Sequence, residues 1–216
     1  MKLTWIALVF AFALGAHANC DHPFYPVKEG WVWTYSSSLG QMGGYTLSTK
    51  DVSAKGFLQK MDFGKFNLET RWTCNARGLA RPEYSQPSFG QAMKMDLKTI
   101  SASGVVIPNA LGVGTAWNYS YEVEGTITQQ KMTMQMKQKV NVTNKVLGRE
   151  NVSVKAGKYS AFKVQTTMQL AGEMKVGGQS VPTNTTIEST TWYAQGVGMV
   201  KSVSKEATVE LVSLKK

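Results

Sequence analysis

Acid–base and nucleophilic chemistry have little to draw on in this chain. Of its two histidines, His17 falls in an N-terminal leader and His22 stands two residues after Cys20. A nucleophile–histidine pair therefore has a single imidazole to use, and no GxSxG elbow accompanies it. A serine–lysine hydrolase stays open by counting alone, with no residues singled out for it. Gly64-Lys65 and Gly157-Lys158 lack the upstream glycine and the following Ser/Thr of a phosphate loop, and read as hairpin turns. The closest carboxylates, Glu122 and Glu124, sit two apart on a predicted strand whose other face carries Tyr119, Tyr121 and Val123. That spacing describes a solvated strand face rather than an acid and its partner across a glycosidic bond. No Cys/His cluster suits zinc and no DxDxDG loop suits calcium, so no catalytic residue, metal or cofactor is assigned.

Methionine is the compositional oddity, with eleven in the chain. Met93 and Met95, and then Met132, Met134 and Met136, stack two apart on strand faces. Three roles fit: filler of an irregular core, flexible wall of a cavity for apolar molecules such as lipid tails, or soft thioether ligands for Cu(I) outside the cytoplasm. Core filling asks least of the sequence, and Met132, Met134 and Met136 are carried forward as candidate cavity lining.

The only two cysteines are Cys20 and Cys74. The apolar run Leu3–Gly15 follows Met1-Lys2 and ends in Ala16-His17-Ala18, the small-x-small pattern of a secretory leader cut after residue 18. A lipoprotein site at Cys20 would want an aliphatic residue three before and a small one directly before; His17 and Asn19 hold those places, which argues against acylation. An exported pair of cysteines is expected to form a disulfide, closing a loop of about fifty residues and adding about 3–4 kcal/mol. No segment after the leader is long and apolar enough to span a membrane as a helix.

Charge points to no specific partner. The chain carries 24 basic and 14 acidic residues, a net +10, and loss of Lys2 with the leader makes this +9. The basic residues are scattered, with local groupings only at Lys131/Lys137/Lys139 and Lys215-Lys216, so nucleic-acid readout is not indicated. Four Asn-x-Ser/Thr sequons, at Asn118, Asn141, Asn151 and Asn184, are discounted as chance in a Thr- and Ser-rich strand protein.

Alternation of period two runs through the mature chain, most clearly from Met132 to Val142 and again around 31–37, 65–73, 117–127, 159–170, 184–193 and 198–212. Glycine-bearing turns such as Gly43-Gly44, Gly177-Gly178 and Gln195-Gly196 separate these stretches. No helical period of twelve residues appears, so the class is all-β. Three landmarks recur in order: Gly30-x-x-Trp33-x-Tyr35 with Gly114-x-x-Trp117-x-Tyr119; Gly64-Lys65-Phe66 with Gly157-Lys158-Tyr159; and Trp72 with Gly78-Leu79-Ala80-Arg81 against Trp192 with Gly198-Met199-Val200-Lys201. Two related halves, about 24–84 and 106–205, are expected.

Phe24-Tyr25-Pro26 with Gly30 and Trp33-x-Tyr35, the stretch Val154 to Val164, and above all Thr191-Trp192-Tyr193-Ala194-Gln195-Gly196-Val197-Gly198-Met199-Val200-Lys201 resemble a bacterial envelope family catalogued as a domain of unknown function. The resemblance covers most of the mature chain, strongly in the last third and loosely through 84–113. It implies an exported, β-rich protein with a curved antiparallel sheet or half-barrel, and it brings no catalytic residues. The expectation is a single β domain over 19–216, periplasmic or extracellular and non-enzymatic. Its role would be to carry an apolar small molecule or lipid or, alternatively, to serve as a protein–protein interaction module of the envelope.

Overall fold

Val140, Val142 and Val146 are each 1–2 % exposed, whereas Lys139 just before them and Thr143 and Lys145 between them are exposed. The period of two is that of a strand with one dry face. The computed structural model describes residues 20–39, 43–85, 87–88, 93–129 and 132–216. The leader expected at 1–18, the residue after its cleavage site and Lys131 lie outside the described residues.

Among the described residues fourteen strands form one sheet: β1 (Val32–Ser37), β2 (Gly44–Lys50), β3 (Gly56–Asp62), β4 (Asn67–Asn75), β5 (Gly78–Ala80), β6 (Pro87–Ser88), β7 (Met93–Gly104), β8 (Ile107–Pro108), β9 (Ala116–Gln129), β10 (Met132–Val154), β11 (Gly157–Val176), β12 (Gln179–Ala194), β13 (Gly198–Ser204) and β14 (Thr208–Lys215). The ladder runs β7-β9-β10-β11-β12-β13-β14-β1-β2-β3-β4-β5-β8, with β6 beside β4. Every strand pairing among the described residues is antiparallel.

The sheet is curled but not closed. Tyr193 on β12 packs against the cluster that holds Phe57 and Trp72 on β3 and β4, although β4 lies six strands away along the ladder, about 29 Å in a flat sheet. The two ends of the ladder also follow one another in the chain. β7 ends at Gly104 and β8 starts at Ile107, so those ends lie within about 11 Å, three Cα steps. The curved all-β sheet expected from the sequence is therefore what forms.

Two meanders of five consecutive strands, β1–β5 and β9–β13, flank the C-terminal β14, which pairs with β13 on one side and β1 on the other. Gly30 and Gly114 have φ of 83° and 86° and stand two residues before β1 and β9, so each turn needs the left-handed conformation that glycine adopts freely. Trp33 and Trp117 lie on the first strand of their meander and Trp72 and Trp192 on the fourth, while Gly78 and Gly198 open the fifth. The middle landmark departs from this plan: Gly64 lies in the β3–β4 turn, but Gly157 opens β11, one hairpin earlier.

Gly177 and Gly178, with φ of 57° and 82°, join β11 to β12 in a two-residue loop whose twist suits a tight hairpin. One expected strand is divided: 198–212 is two strands, β13 and β14. No Gly or Pro marks the break. The Ser204 hydroxyl accepts from the backbone N–H groups of Glu206 and Ala207, and Ser204 N–H donates to Ala207 O at 2.8 Å, so a side chain makes the turn where the sequence shows only alternation.

Candidate functional site

The N-terminal segment 20–31 crosses the inner side of the curled sheet. Cys20, 1 % exposed, forms a disulfide with Cys74 at the end of β4, across 54 positions of sequence. The backbone N–H of Phe24 donates to His22 Nδ1 at 3.1 Å, which leaves Nε2–H to donate to Pro108 O at 3.0 Å. His22 is thus held as the neutral tautomer, and burial lowers its pKa from the usual 6.5. Because the unfolded chain binds this proton more readily, stability is full above pH ~6.5 and declines as pH falls toward the depressed folded pKa, by up to about 1.4 kcal/mol per pH unit. Urea midpoints measured between pH 7.5 and 5 are expected to fall in the native chain, with a smaller fall in His22→Gln; equal slopes would show that this imidazole is not the titrating group.

Beneath the segment, side chains on the inner faces of β1 to β4 form cross-strand rows. Tyr35 stands opposite Tyr45, with rings stacked at 5.0 Å. Trp33, Leu47 and Met61 make the next row, and Thr49, Gln59 and Thr70 a third, buried one. The polar row serves the chain itself: Thr49 Oγ1 donates to Lys28 O at 2.7 Å, Gln59 Nε2 donates to the Tyr25 hydroxyl, and Thr70 shares a hydrogen bond with Ser85 at 2.8 Å. These elements enclose a partly open cavity of about 270 Å³, completed by Tyr25, Trp72, Arg81, Tyr119, Tyr193 and Met199. Its size is near the lower end of ligand pockets, about 300–1,000 Å³.

Five of the lining residues are tyrosines. Burial raises the hydroxyl of Tyr25 to about 12 and pushes those of Tyr35, Tyr45, Tyr119 and Tyr193 up as well. All are neutral phenols at physiological pH. Trp33 Nε1 donates to Val197 O at 2.7 Å and the Tyr35 hydroxyl to Met199 O at 2.9 Å, which fixes the rings of β1 against the β12–β13 turn and β13. No Asp, Glu, His, Cys or Lys lines the cavity among the described residues. Such a lining can stack and enclose a molecule but offers no general base of ordinary pKa.

The landmark residues divide between the two meanders. Trp33, Tyr35, Trp72, Tyr119 and Gly198 line the cavity. Trp117 does not; its Nε1 donates to Val106 O at 2.9 Å. Trp192 is also outside, its Nε1 donating to Glu150 at 2.6 Å with Lys163 over its ring. Gly30, Gly78 and Gly114 serve turns and strand starts. The methionine stripe stands apart: Met132 is 57 % exposed, Met134 is half-buried, and Met136 packs with Met168 and Leu170 against Tyr121, Val123, Val140 and Val142. Met136 also borders a separate groove beside Glu124 and Lys137. Glu122 and Glu124 are exposed, facing Lys139 and Lys137 across the β9–β10 ladder.

Among the described residues no helix is long and apolar enough to cross a membrane. No curated protein matches the chain. Solved structures with a similar course include a candidate lipoprotein from Parabacteroides distasonis (13 % identity, 90 % of this chain and 99 % of that one, TM-score 0.49). A candidate exported protein with YmcC-like fold from Bacteroides fragilis is similar at 15 % identity, covering 90 % of this chain and 100 % of that one, TM-score 0.40. The hypothetical lipoprotein YmcC from Escherichia coli follows at 11 % identity, 90 % of this chain and 88 % of that one, TM-score 0.41. A family model described as DUF3108-like matches residues 70–216, more than half of the chain, and the chain belongs to that family.

Proposed function

We propose that the protein is an exported, non-enzymatic envelope protein that holds a small apolar molecule inside its curled sheet. The observation that carries this reading is the aromatic cavity of about 270 Å³, walled by rings, apolar side chains and a covering segment. The absence of ordinary acid–base groups from its described lining favours binding over catalysis. Export is supported by the leader pattern in the sequence and by a disulfide that persists in oxidising compartments. The apolar ligand belongs in this aromatic cavity rather than along the methionine stripe.

Mass spectrometry of the protein purified from its own host tests the reading directly. A native ion heavier than the chain by a small molecule that is lost on denaturation is the expected result. A bare native ion would count against a carrier. A second reading, an interaction module, is favoured by one feature: residues 179–188 of β12 pair with β11 alone among the described strands and expose Val181 and Ile187. Such an edge can accept another strand. A native complex containing a second polypeptide, without a small ligand, would favour that role.

A further inference from the structure

Arg81 is the only charged side chain in the cavity lining among the described residues. It follows β5 directly, and its guanidinium carbon lies 5.4 Å from the ring centre of Trp72, 5.9 Å from that of Tyr119 and 5.8 Å from that of Tyr121. Trp72 belongs to the β5 end of the ladder and the tyrosines to the β7 end, so the cation bridges the gap that no ladder crosses. Burial opposes its charge, but Tyr121, Tyr119 and Tyr25 favour it more, Tyr121 and Tyr119 also by side-chain hydrogen bonds to the guanidinium, and it stays protonated. Those neighbours are neutral phenols, and none of the ion pairs among the described residues includes Arg81. Its Nε and the Trp72 Nε1 are both buried without a hydrogen-bond partner among the described residues.

An internal comparison sharpens the point. The matching landmark position in the second meander is Lys201, which faces Glu210 on β14 and pairs with it at 2.7 Å. One basic residue is neutralised by the protein itself, and the other is turned among aromatic rings with no carboxylate paired to it among the described residues. A buried cation ordinarily has a counter-charge, and here a half-open cavity lies beside it. Among the described residues the lining holds no second basic residue, which matches one negative charge rather than two. The cavity volume suits a compact body rather than long acyl chains.

We propose that the cavity binds a small organic monoanion, a carboxylate on an aromatic or compact apolar body, with Arg81 receiving the acid and the Tyr/Trp rings enclosing the rest. This rests on the carrier reading above and names its ligand class. A planar guanidinium favours carboxylates through paired charge-assisted hydrogen bonds, and partial burial strengthens that attraction over its value in water.

Titration calorimetry of the disulfide-bonded mature protein with three probes of one shape tests it: phenylacetate, 2-phenylethanol and 2-phenylethylammonium. Phenylacetate is expected to bind at least about tenfold more tightly than the alcohol, and the ammonium to bind least. Arg81→Gln should remove the preference for the acid over the alcohol, and Arg81→Lys should restore part of it. If the Gln variant does not fold, the three-probe comparison in the native protein decides alone. Alcohol binding equal to or tighter than acid binding, or preference for the ammonium, overturns the monoanion while leaving the carrier reading standing. Binding of none of the three overturns this proposal, and the native mass then decides the carrier reading separately.

Discussion

Replacing Trp33 by alanine is expected to lower stability by about 3–5 kcal/mol, the range for deleting a large buried aromatic side chain. Trp33 is 3 % exposed and lies in the cluster that also contains Tyr35, Val152, Ala161, Ala194, Val200 and Leu211. Its indole joins β1 to the β12–β13 turn through Val197 O, so alanine removes both packing area and a bond between the two meanders. Trp117 at the corresponding place is only half-buried, and Trp117→Ala should cost less. Urea unfolding followed by far-ultraviolet circular dichroism measures both. A loss below about 1 kcal/mol for Trp33→Ala would mean that the cluster collapses around the gap without penalty, contrary to a well-packed interior.

Loss of the Cys20–Cys74 bond should be comparably severe. In the chain-entropy account, a loop of 54 residues corresponds to about 4 kcal/mol. The bond also holds the segment that carries Tyr25 and Pro26 over the cavity and His22 against Pro108. The paired substitution Cys20→Ser/Cys74→Ser is therefore expected to unfold at markedly lower urea, to expose residues 20–31 to limited proteolysis, and to weaken binding of any cavity ligand. Unchanged stability after reduction of the native protein would show that the segment is held by its non-covalent contacts alone.

Much of the sheet was legible because one-sided burial writes itself as alternation. The run from Met132 to Val142 gave β10 its dry face, and the pair Gly177-Gly178 gave the β11–β12 hairpin. β2 and β3 do not stand out: Gly44–Lys50 and Gly56–Asp62 mix Tyr, Leu, Met and Phe with Thr and Gln on their inward faces, because those faces meet a covering segment and a cavity rather than a uniform core. The turn at 204–207 was hidden because a serine side chain, not a glycine, makes it.

The cavity was legible only in fragments. Its Trp and Tyr landmarks stood out by rarity and spacing, yet they are indistinguishable in sequence from core aromatics. Arg81 is visible merely as the counterpart of Lys201, and the difference between them resides in β14, where Glu210 pairs with Lys201 while no carboxylate among the described residues pairs with Arg81. The methionines drew attention by number, but composition does not say which strand face reaches the enclosed space.

The position of β14 has a consequence for how the molecule comes into being. Tyr35 is aligned with Leu211, and Leu211 is fully buried in the same cluster as Trp33. The first strand cannot acquire this neighbour until Thr208–Lys215 has been made, which gives the fold a high contact order and a slow approach to the native state. Until then β1 and β13 each present a bare edge toward the missing strand. A chain lacking residues 207–216 would lack the strand that joins its two meanders.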